Sequence, residues 1–229
     1  MYFNASNLPR TKNEYVCWLD VMGTSSIMLK SLNTVANFIC KLHIAALEVK
    51  GHNQAYSDLT LYPMLDGLHI TSCKQNILIN YLKEIFIKVA TEFINETNPQ
   101  HRFIIKAAVA YGPVIHGNSI TTQVSPELGN SDYKKTLLFG MPIIQAYDSE
   151  KEAPPFGIFI HESARSFAPN EENVIPHIWF AWADQTMATN LKSKLLEQYD
   201  WYKKHSHTQR YQPDRIESHL KMAEEYFTL

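Results

Sequence analysis

"YVCWLDVMGTSS", residues 15–26, decides how the rest of the chain is read. Tyr15 to Leu19 is apolar and rich in residues that favour extended backbone. It ends abruptly on an acid, Asp20. A small-residue turn containing Gly23 follows, and from Ser25 the apolar period lengthens. Leu29, Leu32, Val35, Ile39, Leu42 and Ala46 recur every three or four residues, which predicts one helix running to a stop near Gly51. A buried strand with a carboxylate at its tip, just before a glycine turn, requires a reason.

The surrounding composition limits the possible reasons. The chain has 229 residues, enough for one domain or one domain with an extension. Hydrophobic residues make up 45% and charged residues 19%, so the sequence supports a packed core and not a disordered chain. A net charge of -2 gives no basic face of the kind that nucleic acid requires. Met1 to Asn13 lacks the apolar segment of a signal peptide, and no apolar run reaches the ~18 residues of a membrane span. Cys17, Cys40 and Cys73 are widely spaced and odd in number, and each lies in or beside an apolar segment. Buried free thiols are expected, not a disulfide framework or a zinc site. The chain reads as soluble and cytoplasmic.

Downstream, Leu59 to Met64 and Leu68 to Ser72 flank Asp66-Gly67 and read as a hairpin, with Pro63 placing its first strand at an edge. Asn76 to Phe93 is a helix with a stripe of Ile77, Leu78, Tyr81, Leu82, Ile85, Phe86, Val89 and Phe93. Arg102 to Gly117 is a strand ending at Gly112-Pro113, and residues 118–135 read as a loop. Phe139 to Glu150 is a short helix, Phe156 to Ile160 a strand, Glu162 to Phe167 a turn or helix and Val174 to Ala183 a strand. Met187 to Tyr202 and Pro213 to Phe227 are helices. This order predicts an α+β fold of ferredoxin-like βαββαβ type, a mainly antiparallel sheet with helices on one face.

If the first strand pairs beside the hairpin, Asp20 and Asp66 converge at one sheet edge. Two carboxylates without a basic neighbour in sequence are best reconciled by a divalent cation such as Mg²⁺ or Mn²⁺, which also holds phosphate oxygens. The N–H groups of the helix start after "VMGTSS" favour an anion. Taken singly, an Asp before a helix is also a common cap, and an Asp-Gly a common turn.

Four stretches in this order resemble the class III nucleotide cyclases. They are "LDVMGTSS" with Asp20, "PMLDGLHIT" with Asp66, "VAYGPVIHG" from Val109 to Gly117, and "LLFGMPIIQAYDSE" from Leu137 to Glu150. The resemblance spans roughly residues 14–183. It implies a catalytic domain there, an N-terminal segment at 1–13 and a C-terminal helical extension at 184–229. It further implies two ions, Mn²⁺ or Mg²⁺, held by Asp20, Asp66 and the Val21 carbonyl, with the amides of Met22, Gly23 and Thr24 on the triphosphate.

The departures from that family carry information too. Where purine cyclases place a Lys or Glu on the hairpin, this chain has Tyr62, and the polar residue before the late glycine is Leu137 or Leu138. The family's Asn and Arg on the following helix match Ile144 and Asp148, neither of which can do their work. Lys106 and Gln145 are the substitutes nearest the motifs for transition-state support; Lys134, Lys135 and Arg165 are others. With Tyr62 and Leu137 as base-recognition positions, the chain looks like the pyrimidine cyclases of the Pycsar antiphage system. That implies UTP or CTP as substrate, cyclic UMP or cyclic CMP as second messenger, a separate effector downstream, and a head-to-tail homodimer with shared sites. A degenerate nucleotide sensor, or an RNA-binding module stacking bases on Tyr15, Trp18 and Tyr111, stands as the rival. His205 to His207 reads as a solvated linker rather than a metal site.

Overall fold

In the computed structural model, which describes residues 7–166, 178–206 and 212–228, β1 (Lys12–Val21) runs through the middle of the sheet. It can do so because it is apolar on both faces. Tyr15, Cys17, Leu19 and Val21 enter the main core, while Trp18 enters a smaller one with Ala110 and Ala146. β1 pairs antiparallel with β3 (Gly67–Ser72) on one side and β4 (Ile105–His116) on the other. β2 (Thr60–Met64) completes the hairpin and lies at the edge, where Pro63 leaves no ladder donor missing. β5 (Leu138–Phe139) pairs with the end of β4, which therefore continues past Gly112-Pro113 to His116.

The predicted first helix is divided. α1 (Thr24–Met28) stops and α2 (Leu32–His52) starts afresh because the Ser31 hydroxyl accepts the Thr34 N–H at 3.2 Å, an N-cap inside the expected helix. α2 and α3 (Gln75–Asn95) cover one face of the sheet with Phe38, Leu42, Leu82 and Phe86. Residues 118–135 contain α4 (Pro126–Asn130) and single turns of 3-10 helix. α5 (Met141–Ser149) lies on the opposite face, with Ala146 against Trp18 and Ala110. The expectation of helices on one face thus holds for α2 and α3 and fails for α5.

β6 (Ile158–Ile160) pairs parallel with β4, and α6 (Glu162–Ser166) follows. The predicted strand at 174–183 lies partly outside the described residues. Within them the segment pairs antiparallel with β6 over one short bridge, Trp179 opposite Phe159, where the Ile160 N–H donates to the Ile178 carbonyl at 2.7 Å and the Phe180 N–H to the Ile158 carbonyl at 2.9 Å. α7 (Gln185–Lys204) is capped by Asp184, whose carboxylate accepts the Met187 N–H at 2.8 Å, and α8 (Pro213–Tyr226) packs against it. Leu191, Leu195, Tyr199, Ile216 and Tyr226 join the same core as Phe86 and Phe156. The Trp182 indole N–H donates to the Phe156 carbonyl at 2.7 Å. Arg102, its side chain fully buried, donates to the carbonyls of Glu96 and Thr97 and pairs with Glu197 of α7 at 2.9 Å. The C-terminal helices are therefore fixed to the sheet's supporting layer.

All three cysteines are free, but only Cys17 is buried; Cys40, within α2, and Cys73, just past β3, are exposed, contrary to expectation. No helix among the described residues is long and apolar enough to cross a membrane.

Candidate active site

The tip of β1 is shaped by three local requirements. The Met22 N–H donates to the Ile104 carbonyl at 2.8 Å, extending the ladder one residue past Val21. Gly23 then takes a left-handed φ of 80°, which a side chain would strain, and α1 begins at Thr24. The hairpin loop is Leu65–Asp66, since Met64 pairs with Gly67; Gly67 thus belongs to β3 and not to the turn. Asp20 pairs with Gly67, so Asp66 sits beside it. A Cβ on Gly67 would lie 2.3 Å from the Leu19 carbonyl and 3.0 Å from the Trp18 ring, so this crossing admits only glycine. The buried Thr24 hydroxyl donates to the Asp66 carboxylate and holds it at the tip.

Asp20 Oδ1 is buried without a hydrogen-bond partner. Burial, then the charges of Asp66 and Glu150, push the Asp20 carboxyl up to about 8. The Val21 amide and Lys106 oppose that shift. Lys106, directly across the ladder from Asp20, is buried and ion-paired to Glu150 at 3.2 Å. An orphaned carboxylate oxygen beside like charges fits a hard divalent cation, whose ligands are oxygens. Among the described residues, no group of three or more His, Cys, Asp or Glu side chains is arranged to hold a metal ion. The donor set is therefore Asp20, Asp66 and backbone oxygen, to be completed by a ligand's own oxygens, as suits Mg²⁺ or Mn²⁺.

These groups open into a cleft of about 580 Å³. Gly23 and Thr24 line it with Asp20 and Asp66, and Trp18 and Tyr147 form an apolar wall, their ring centroids 5.4 Å apart. Other sequence expectations are corrected. The Met22 amide is already bonded, so it offers no donor to a phosphate. Tyr62 is 3% exposed, and its hydroxyl is 2.6 Å from His116 Nδ1, which in turn meets Glu14 at 3.0 Å through Nε2. A tyrosine held in this way is not free to stack on or hydrogen-bond a base. Leu137, which lies beside Gly117, and Gln145 do not line the cleft of their own chain; in the head-to-tail homodimer that the resemblance implies, the segment from Leu137 to Asp148 belongs to the partner's site. Lys106 is spent on Glu150. Lys134 is bonded to the carbonyls of Ile120 and Gly129, and Lys135 pairs with Asp132. Arg165 lies outside the cleft, with its Nε buried and unpartnered. Tyr15 and Trp18 are buried, and the half-buried Tyr111 packs its ring on Tyr15 at 4.6 Å, so the three do not form an open RNA-stacking surface. His205 stacks on Trp201, and His207 lies outside the described residues.

Asp148 lines the cleft of its own chain, as do Tyr147, Glu150, Lys151, Arg215 and His219. Sequence reasoning missed Glu150 as a site residue, although it stood as the acid closing the fourth motif. Arg215 and His219 carried only a weak signal, a four-residue spacing that puts both on one helix face.

The sheet order, the crossing of β1 with the hairpin and the helix layers are those of the class III nucleotide cyclase catalytic fold. A bacterial light-regulated adenylyl cyclase superposes with a TM-score of 0.56 at 14% identity, covering 83% of this chain and 100% of that one. The catalytic core of a rhodopsin-guanylyl cyclase with converted specificity, in complex with ATPαS, gives 0.52 at 13% identity, covering 71% and 84%. The guanylate cyclase domain of RhGC from Catenaria anguillulae, in complex with GTP, gives 0.51 at 14% identity, covering 71% and 85%. At these identities the likeness establishes the fold. No protein-family model matches the chain, and no curated protein matches its sequence.

Proposed function

We propose that this chain is a nucleotide cyclase, with UTP as substrate and 3′,5′-cyclic UMP and pyrophosphate as products. The observation that carries the reading is Asp20, its buried Oδ1 unpartnered, set beside Asp66 at the strand tip of this fold. In the reaction the ribose 3′-hydroxyl attacks the α-phosphate and pyrophosphate leaves. Asp20, Asp66 and the Val21 carbonyl would hold two divalent ions, Mn²⁺ or Mg²⁺, which neutralise phosphate charge and lower the pKa of the attacking hydroxyl. Thr24 fixes the Asp66 carboxylate through its hydroxyl. The Gly23 and Thr24 amides, at the head of α1, face the polyphosphate. Trp18 and Tyr147 exclude water from one side of the cleft.

The pyrimidine preference rests on the resemblance and on the lack of a Lys or Glu at position 62. It does not rest on a Tyr62 contact, because that hydroxyl is taken by His116. A role for the product in antiphage defence through a separate effector, and a cytoplasmic location, belong to the same resemblance. Homodimerisation is favoured by α5, where Met141, Ile144 and Tyr147 form an exposed stripe at three-residue spacing, with Phe139 beside it. Leu137 and this stripe would then meet the second copy.

The test is incubation with each of the four NTPs and Mn²⁺, with products identified by mass. Cyclic UMP from UTP is expected, abolished by Asp20→Ala or Asp66→Ala. Cyclic CMP from CTP would change the base but keep the reaction. A purine product would overturn the pyrimidine reading, and binding without release of pyrophosphate would make the chain a nucleotide sensor.

A further inference from the structure

One wall of the cleft is built by α8, more than a hundred residues along the chain from Asp20 and Asp66. Arg215 and His219, one helical turn apart, both line the cleft. The helix is fixed in place by Ile216, Ala223 and Tyr226 in the core, and the Tyr226 hydroxyl donates to the Phe180 carbonyl. Asp20, Asp66, Asp148 and Glu150 line the same cleft and make it strongly acidic. A polyanion entering there needs cationic contacts from the protein as well as metal ions. Lys106 cannot supply one, being buried against Glu150. His219 cannot supply one at neutral pH, because burial, Lys106 and Arg215 push its pKa down to about 4. That leaves Lys151 and Arg215 among the described lining residues. Arg215 is exposed to the cleft and makes no ion pair among the described residues. Its guanidinium presents donors in a planar fork matched to phosphate, which an ammonium does not.

We infer that Arg215 is a polyphosphate-binding residue, contributed in cis by α8, that grips the terminal phosphates of a nucleotide held at Asp20 and Asp66. This rests on reading the cleft as a nucleotide site. It makes the C-terminal helices part of the binding apparatus, since the Arg102 and Trp182 contacts that hold them also hold Arg215 in place.

The probe is inorganic pyrophosphate with Mn²⁺, its affinity measured by calorimetry on the full chain. Arg215→Ala is expected to weaken pyrophosphate about 10- to 100-fold, the loss of a charged hydrogen-bonding pair, with Mn²⁺ binding alone unchanged. Arg215→Lys should recover part of that loss. Lys221→Ala removes the same charge from α8 outside the cleft and serves as the control. Arg215→Gln repeats the measurement if the alanine variant unfolds. Pyrophosphate affinity within about twofold of wild type in both neutral variants would overturn the inference, as would an equal loss in the Lys221 control. A wild-type chain that binds pyrophosphate through Arg215 but cyclises no NTP would sink the reaction and leave this site standing. A wild-type chain that binds no pyrophosphate would sink this site.

Discussion

Replacing Asp20 with Asn keeps the shape of the side chain and removes its titration. The carboxyl ordinarily ionises near 3.8 and is pushed up to about 8 in the folded chain. Between those values the folded state holds a proton that the unfolded chain has released. Stability is therefore intact below the lower value and lost as pH rises toward the upper one. Each pH unit inside the window costs up to about 1.4 kcal/mol. Going from about pH 5 to about pH 8 gives a ceiling of ~4 kcal/mol, which residual hydration of the site reduces to about 2. For a chain of this length that is about 4–8 °C in Tm. His69 and His219, both depressed to about 4 by burial, act in the opposite sense and lose stability as pH falls below their ordinary value of 6.5. They are common to both proteins, so the difference between wild type and Asp20→Asn isolates Asp20. The assay is thermal and urea unfolding of both in EDTA across that range. The variant should match wild type near pH 5 and exceed it by about 2 kcal/mol near pH 8. Excess Mn²⁺ should then raise the Tm of wild type and not of the variant. Parallel pH profiles for the two proteins would refute the reasoning.

Gly67→Ala, whose Cβ would meet the Leu19 carbonyl and the Trp18 ring, should cost about 1–3 kcal/mol in urea unfolding and depress Mn²⁺-dependent turnover by displacing Asp66. Leu65 is 82% exposed with a left-handed φ of 50°, so Leu65→Gly should raise stability by about 1 kcal/mol in the same assay. Arg102→Ala strips the donors from the Glu96 and Thr97 carbonyls and should cost about 2–4 kcal/mol, with hydrogen exchange rising first in α7. Ile144→Glu, at 56% exposure, should leave the fold intact and, on the proposed homodimer, shift wild-type dimer to monomer in sedimentation with loss of cyclic product; a wild-type chain that sediments as a monomer would refute the dimer.

Much of this protein follows from sequence alone because burial is written locally. The β1 run, the hairpin and the α3 stripe of Leu78, Leu82, Ile85, Phe86 and Val89 have the periods of the elements they form, and their order leaves few ways to pair the strands. An acid at a strand tip and another in a two-residue loop were legible in the same way. Only the tertiary structure decided which groups remain free. The Met22 amide is taken by Ile104, and the Tyr62 hydroxyl by His116, 54 residues away. Lys106 is taken by Glu150, and a wall of the cleft comes from Arg215 and His219 on a helix no motif announced. Periodicity says which face of an element is buried. It does not say which side chains the sheet register and helix packing bring within hydrogen-bond reach, and it is that reach which determines whether a polar group can bind a ligand.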